Sequence, residues 1–165
     1  MPSPCDRRGR RPGLPPFEHV LEEHGPAVLR FCAARAGPRW AEDCFQETML
    51  AALRGYARVR DPQAIKTWLL SIAARKAIDA QRASARAPEP TGQIDERVAV
   101  TADAPAEEAD VWERVRALPE RQRQAVMLRF RGDLVHREVA DAMGTSEAAA
   151  RRNVFEGLQR LRQEM

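Results

Sequence analysis

The sequence predicts an all-α protein built from two small helical domains joined by a flexible linker. Apolar residues recur at intervals of three and four in residues 17–82 and again in residues 110–165, which is the spacing of amphipathic helices. No segment shows strand-like alternation of useful length. Residues 83–109 are rich in alanine, proline and acidic residues and have no sustained apolar period, so we expect a tether there.

The amino-terminal segment predicts three or four helices after a disordered basic tail. Residues 1–16 are rich in proline and arginine and contain too little apolar surface to order themselves. The helical spacing begins at Phe17, and Gly25 and Pro26 mark a kink or a restart. This first helical unit is expected to end near Gly37.

A second helix is predicted from about Ala41 to Arg54, and a third after Asp61 and Pro62, which match an N-cap and a first-turn proline. The apolar face of the second helix is predicted to carry Phe45, Thr48, Met49, Ala52 and Leu53. Its other face is mixed and carries Asp43, Gln46, Glu47, Leu50 and Arg54. The predicted buried stripe of the third helix is Ile65, Trp68, Leu69, Ile72 and Ala73.

The carboxyl-terminal segment predicts a helix-turn-helix. A short helix over residues 135–142 is followed by Gly144, which supplies the turn, and by Ser146, which caps a second helix. In such a motif the second helix lies in the major groove, where arginine, asparagine and glutamate side chains reach base edges. The residues expected to face DNA are Ser146, Glu147, Arg151, Arg152 and Asn153. The alternative is that the arginines only solvate a surface helix.

The charges lie in blocks. Residues 17–53 carry six acids and three bases, whereas residues 54–82 carry seven bases and two acids. This pairing predicts a phosphate-facing surface beside a surface for a protein partner. There is no apolar run near the roughly 18 residues of a membrane span, and no signal-peptide pattern, so we expect a cytoplasmic protein without a membrane partner.

The positions of the cysteines and histidines indicate no disulfide, metal site or catalytic site. Cys5, Cys32 and Cys44 form neither an even disulfide framework nor a close metal-binding pair, so reduced thiols are expected. Cys32 and Cys44 fall in amphipathic patterns, which favours two small buried hydrophobes over a redox or zinc pair. The three histidines sit in no catalytic constellation. We therefore predict no catalytic residue, metal or cofactor.

Several segments resemble the extracytoplasmic-function sigma factors of bacterial RNA polymerase. AEDCFQETMLAAL at 41–53 is similar to their clamp-binding helix, and WLLSIAARKAIDAQR at 68–82 is similar to their promoter-melting helix. ALPERQRQAVMLRF and REVADAMGTSEAAARRNVFEGLQRLR are similar to their fourth region. The resemblance implies a sigma subunit that catalyses no reaction, with region 2 at 17–82 and region 4 at 110–165.

The resemblance also implies roles for the residues that match. Asp43, Gln46 and Glu47, with Leu50 exposed beside them, match the contacts to the polymerase clamp, and residues 55–62 match the loop that captures a base flipped out of the minus-ten element. Phosphates of the opened strand are then expected at Arg58, Arg60, Lys66, Arg75 and Lys76. The implied partners are the clamp and flap of core RNA polymerase and promoter DNA, both duplex and single-stranded. An anti-sigma factor stays open as a further partner.

The chain departs from the family pattern in both segments. Arg75 stands where many relatives have asparagine, so their minus-ten base preference is not transferred. Val135 stands where a serine often begins the first helix of the helix-turn-helix, which leaves Asp133 as the expected cap. Asn153 and Glu156 occupy positions that are often arginine, so we expect a weaker grip on phosphate.

The sequence leaves two other functions open. The main alternative is a helix-turn-helix regulator that binds an operator without polymerase, but it leaves the acidic and basic helices at 41–53 and 61–82 unexplained. The third possibility is an enzyme, but the sequence shows no organised set of catalytic groups that would support it. Trp68 is spaced for packing in the core, with base stacking as the alternative.

Overall fold

The computed structural model describes residues 13–86 and 106–163, and within these ranges it contains seven α-helices and three short 3₁₀ turns. The α-helices are α1 Phe17–Ala36, α2 Ala41–Gly55, α3 Ile65–Arg86, α4 Ala106–Ala117, α5 Glu120–Phe130, α6 His136–Met143 and α7 Glu147–Gln163. The all-α prediction is confirmed. Most of the predicted tail, residues 1–12, and the middle of the predicted linker, residues 87–105, lie outside the described residues.

Helices α1, α2 and α3 pack on one another around an apolar core. α1 runs without a restart through Pro26 and ends at Gly37, whose φ of +87° favours glycine. The fully buried side chains of this bundle include Val28, Phe31, Leu69 and Leu70. α3 continues to Arg86, four residues into the segment predicted as linker.

Two local signals fix the ends of this bundle. Asp61 Oδ1 accepts a hydrogen bond from the Gln63 amide at 2.9 Å, which confirms the predicted cap, although the capped turn is a 3₁₀ turn that leads into α3. The Tyr56 hydroxyl donates to the Pro15 carbonyl at 2.6 Å. The Tyr56 ring also meets the edge of Phe17, with ring centroids 5.3 Å apart. The last residues of the predicted tail are therefore held against the bundle.

Helices α4 to α7 form the second half, which ends in the predicted helix-turn-helix. Gly144 ends α6 at a φ of +61°, and Ser146 Oγ accepts from the Ala149 amide at 3.2 Å at the start of α7. The expectation that Asp133 caps α6 is wrong. Val135 occupies the N-cap position, and its amide donates to the Glu138 carboxylate at 2.9 Å, so a side chain inside the helix satisfies this amide.

The two halves contact each other, which the sequence did not predict. α1 meets α4 and α5, and α3 meets α6. A Cβ atom added at Gly132 would lie 3.0 Å from Leu70 Cδ1, so the loop after α5 presses closely on α3. None of the helices within 13–86 and 106–163 is long and apolar enough to cross a membrane.

Candidate functional site

One face of α2 combines acidic, amide and apolar side chains that all point outward. Asp43, Gln46, Glu47 and Leu50 are exposed, and Leu50 retains 47% of its accessible surface. The opposite face of the helix is buried and carries Cys44, Thr48, Met49 and Ala52. The structure thus brings the four predicted polymerase-binding residues together on one accessible surface, which we call the α2 face.

Leu53 extends the α2 face and corrects the predicted core. We expected it to be buried, but it keeps 55% of its surface accessible. The reason is helical geometry, because a residue three positions after Leu50 lies on the same side of a helix as Leu50. Two neighbouring exposed leucines among acids form an apolar patch that water solvates poorly, as in the centre of a protein interface.

An ion pair joins the α2 face to α3. Lys76 Nζ lies 3.6 Å from Oε2 of Glu47, and the lysine is the less exposed of the two side chains. Glu47 was predicted to bind polymerase, and Lys76 was predicted to hold DNA phosphates. The two predicted surfaces therefore meet at this pair.

The predicted single-strand surface lies along α3 and the turns before it. Arg58, Arg60 and Arg75 are exposed, and Lys66 and Lys76 are half-buried. A groove of about 390 Å³ lies between α2 and α3 and is lined by Ala51, Gly55, Trp68, Ile72, Arg75, Lys76 and Asp79. The lining combines apolar side chains with Arg75 and Lys76, which outnumber the one acid, Asp79, and this combination suits a nucleic-acid base and its phosphate.

Trp68 packs against the core, as its spacing predicts, and it also lines the groove. Its ring is half-buried, packs against the core and lies 6.4 Å from the ring of Tyr56. A Cβ atom at Gly55 would lie 3.2 Å from Trp68 Cζ2, so the ring rests on the end of α2, where a larger residue would crowd it. The packing prediction is confirmed, and the remaining accessible part of Trp68 lines the groove.

The exposed face of α7 carries Glu147, Arg151 and Arg152, while Ala150 and Val154 are buried behind it. Glu147 Oε1 accepts two hydrogen bonds from Arg151, from Nη2 at 2.6 Å and from Nε at 3.2 Å. A guanidinium held in this way is oriented before it meets a ligand. Arg152 is exposed beside it.

Two residues of α7 have features that the sequence did not predict. Asn153 Nδ2 donates to the Ala149 carbonyl at 2.9 Å, so its amide is turned back to its own helix. Phe155, which was not among the predicted DNA-facing residues, is 60% exposed and lies four residues after Arg151. Its position outside the buried register of Ala150 and Val154 is the signal that could have identified it.

The cysteines described by the structure belong to the core. Cys32 and Cys44 are both buried and free. A hydrogen bond with Cys44, together with burial, raises the pKa of the Cys32 thiol. The prediction of two small buried hydrophobes is confirmed for these two residues. Over the described parts of the chain, no group of histidine, cysteine, aspartate or glutamate residues is arranged to hold a metal ion.

Comparison with known proteins matches both halves to one family. The family model for Sigma-70 region 2 matches residues 20–87, and the model for Sigma-70, region 4 matches residues 108–161. The ECF RNA polymerase sigma factor SigD of Mycobacterium tuberculosis is 35% identical over 162 residues, an alignment that covers 90% of this chain and 76% of SigD. The ECF RNA polymerase sigma factor RpoE of Cereibacter sphaeroides is 34% identical, with 90% of this chain and 86% of RpoE covered.

Solved structures share the arrangement of helices. The sigma factor RpoE of Bartonella quintana, in complex with the anti-sigma factor NepR, superimposes with a TM-score of 0.68 at 19% identity and covers 89% of this chain and 94% of its own. CnrH in complex with the cytosolic domain of CnrY gives a TM-score of 0.66 at 21% identity, with 89% and 85% covered. At these identities the likeness concerns the fold alone.

Proposed function

Because the chain belongs to the ECF sigma factors of the sigma-70 family, we propose that its three exposed surfaces divide the work of promoter recognition. The protein binds core RNA polymerase and directs promoter-specific initiation of transcription. Sigma factors are initiation factors, so the reaction itself belongs to the polymerase. Each surface receives one of three partners: the polymerase clamp, the opened strand or the upstream duplex.

The α2 face is the proposed site for the polymerase clamp. Asp43, Glu47 and Gln46 present acceptors to a basic partner, and Leu50 and Leu53 supply the apolar centre. An interface of this kind gains its affinity from the buried apolar patch and its orientation from the surrounding charges. Leu53 is therefore added to the four residues that the sequence identified.

The groove between α2 and α3 is the proposed site for the melted minus-ten strand. The residues assigned to its phosphates are Arg58, Arg60, Lys66, Arg75 and Lys76, and two of them, Arg75 and Lys76, line the groove. Extruding a base from duplex DNA costs a few kcal/mol, and a stacking surface with adjacent cations offsets that cost. No chemical catalyst is needed for this step.

α7 is the proposed reader of the minus-thirty-five duplex, with Ser146, Glu147, Arg151, Arg152 and Asn153 as the contacting set. Glu147 orients Arg151 toward the major groove of the DNA. The side-chain amide of Asn153 donates to the backbone of its own helix, so Asn153 should contribute least to DNA binding in this set. We add Phe155, because an exposed aromatic ring in the major groove matches the one apolar feature there, the thymine methyl group.

The domain limits follow from the same division. We assign residues 1–16 to a basic tail, 17–86 to region 2 and 106–165 to region 4, so that the predicted linker shortens to the residues between the end of α3 and the start of α4. A cytoplasmic location follows from the partners, since core polymerase and promoter DNA lie there. The two solved neighbours are named as complexes with an anti-sigma factor and with the CnrY cytosolic domain, and an anti-sigma factor is a proposed partner of this chain as well.

The observation that supports this division most directly is the outward position of Leu50 and Leu53 among Asp43 and Glu47. In a regulator that binds an operator without polymerase, the same surface would instead serve dimerisation or sensing, so the two functions differ in what the α2 face binds. Gel filtration of the full chain with core polymerase tests the proposal. Co-elution of a one-to-one complex is expected. A DNA-binding homodimer that ignores core polymerase would contradict it.

A further inference from the structure

The chain enters its first bundle beside the groove that is proposed for the melted strand. Leu14 and Phe17 pack against the core, so the polypeptide is fixed at this point. The Tyr56 hydroxyl donates to the Pro15 carbonyl at 2.6 Å, and the rings of Tyr56 and Phe17 meet with their centroids 5.3 Å apart. Since Tyr56 directly follows α2, the entry point lies at the carboxyl-terminal end of that helix.

The same tyrosine lies next to one end of the groove. Its ring is 6.4 Å from that of Trp68, and both Trp68 and Gly55, the residue before Tyr56, line the groove. Arg58 and Arg60 follow Tyr56 within four residues and are exposed. The entry point of the chain is therefore close to two of the cations that are assigned to the phosphates of the melted strand.

The segment that precedes this entry point is strongly basic. The charged side chains of residues 1–12 are Asp6, Arg7, Arg8, Arg10 and Arg11. An extended chain advances by about 3.5 Å per residue, so Arg11 lies within about 14 Å and Arg7 within about 28 Å of Pro15. The covalent chain therefore tethers four guanidinium groups close to the groove.

This arrangement brings like charges together, because the tethered arginines share the neighbourhood of Arg58 and Arg60. Such a cluster is unfavourable by itself, but a polyanion attracts all of its members at once. The phosphates of a DNA strand form such a polyanion, and cations that neutralise them release condensed counterions. Arginine suits the task, since its planar guanidinium can donate two parallel hydrogen bonds to one phosphate.

We propose that the arginines at positions 7–11 hold phosphates of the opened promoter strand, with Tyr56 anchoring their segment at the end of the groove. The inference rests on the proposed function, which assigns the groove to that strand. The competing arrangement is a set of ion pairs between these arginines and the exposed acids of α1, Glu18 and Glu22. Arginines engaged in that way would leave the binding of DNA unchanged.

The test measures how the affinity for DNA depends on salt concentration. The full chain is titrated alone with a short single strand and, in complex with core polymerase, with a fork whose minus-ten strand is single. The variant is Arg10→Gln with Arg11→Gln. The matched control is Arg30→Gln with Arg39→Gln, which removes the same charge from exposed positions of the first bundle. Arg39 lies in the turn between α1 and α2, at the opposite end of these helices from Tyr56.

Each phosphate contact on a single strand contributes about 0.7 to the slope of the log association constant against log salt concentration. Loss of Arg10 and Arg11 should therefore reduce the slope by about 1.4, and loss of all four arginines by about 2.8. The control variant should keep the wild-type slope. Co-elution with core polymerase should be unchanged for every variant, since none of the substituted residues belongs to the α2 face.

Cys5 allows the position of the segment on the DNA to be mapped. It lies two residues before Arg7, and Cys32 and Cys44 are buried, so an iron chelate that cleaves DNA can be attached to the native chain at Cys5. In the complex with the fork, cleavage should centre on the single minus-ten strand and should disappear in Cys5→Ser. Cleavage confined to the upstream duplex would contradict the proposed position.

A fall in slope with either DNA that the control variant lacks supports the proposal. It is overturned if the arginine variant keeps the wild-type slope with both DNAs, if the control lowers the slope equally, or if the wild-type chain binds neither DNA. Loss of core binding at an unchanged slope would assign the arginines to polymerase and overturns it as well.

Titration of the free chain needs no polymerase, so this test is separate from that of the proposed function. A slope that falls in a chain that never binds core polymerase would keep the arginine contacts and contradict the proposed function. Co-elution with core polymerase at an unchanged slope would keep the proposed function and remove the arginine contacts.

Discussion

Lys76 on α3 and Glu47 on α2 form an ion pair, with Nζ 3.6 Å from Oε2. One partner belongs to the proposed clamp surface and the other to the proposed single-strand surface. On the proposed function, a clamp bound at Glu47 competes with this ion pair, and we expect the Lys76 ammonium to become available to the groove. The proposed clamp surface and the proposed single-strand surface of region 2 therefore meet in one ion pair.

Replacing Lys76 with glutamine should affect promoter opening and leave core binding intact. The pair is solvent-accessible, so its loss should change the free energy of unfolding by less than about 1 kcal/mol. Permanganate reactivity of melted thymines should fall, because one phosphate contact is lost. Glu47→Gln breaks the same pair from the other side and should weaken core binding instead. Equal loss of core binding in both variants would show that the pair only supports the fold.

Reversing the charges at Asp43 and Glu47 should abolish co-purification with core polymerase. Both side chains are exposed on α2, and the change places two cations opposite a basic partner. Helicity by circular dichroism should be unchanged, since neither side chain is buried.

The matched control for that variant reverses Glu18 and Glu22, two exposed acids of α1. This chain has the same net charge as the Asp43 and Glu47 variant and should still co-purify with core polymerase. If both double variants bind core equally well, the α2 face is not the clamp site.

The two DNA surfaces should fail in different ways. Alanine at Arg151 and Arg152 should weaken closed-complex binding at a promoter with an upstream element, by roughly 1 to 3 kcal/mol for each contact that reads a base. Alanine at Arg58, Arg60 and Arg75 should leave the upstream footprint in place and block melting.

A template with a pre-opened bubble separates the two defects. The variant at Arg58, Arg60 and Arg75 should recover part of its activity there, because the cost of unpairing has already been met. The variant at Arg151 and Arg152 should gain nothing comparable. The proposed division would be wrong if both variants lost closed-complex binding alike and the bubble rescued neither.

Phe155 should read a thymine methyl group. Replacing thymine by uracil in the minus-thirty-five element removes only that methyl, worth ~0.8 kcal/mol or about fourfold in affinity. The loss should occur at one position for the wild-type chain and vanish for Phe155→Ser. Phe130→Ser, at an exposed aromatic residue of α5, is the control and should keep the full thymine preference. A uniform loss at every position would assign Phe155 to packing or to the DNA backbone.

Local signals made much of the fold predictable. Asp61, Gly144 and Ser146 act through hydrogen bonds or dihedral angles within a few residues, and the structure has each where the sequence placed it. Asp133 failed as a cap because Glu138 satisfies the Val135 amide from inside the helix. Whether Asp133 or Glu138 accepts from the first amides of α6 depends on backbone dihedral angles, which the spacing of residues in the sequence does not specify.

The spacing of apolar residues could not predict contacts between helices that are distant in the sequence. Arg35 reads as a solvated cation in the last turn of a helix, and only the packing of α5 against α1 buries it. Leu53 was misplaced because an apolar residue at the edge of a stripe belongs equally well to either face. The exposed residues of the candidate site were predictable since they share one helix face each, whereas their ion pairs, such as that of Glu47 with Lys76, join different helices.

The most direct test of the central claim is run-off transcription with core polymerase on a genomic library, with start sites sequenced. Core polymerase plus this chain should initiate at a defined set of sites that core alone does not use, and each site should carry common minus-thirty-five and minus-ten elements. The Asp43 and Glu47 variant should produce none of them. The account is contradicted if no new start sites arise while the chain alone protects specific duplex sites equally well with and without polymerase.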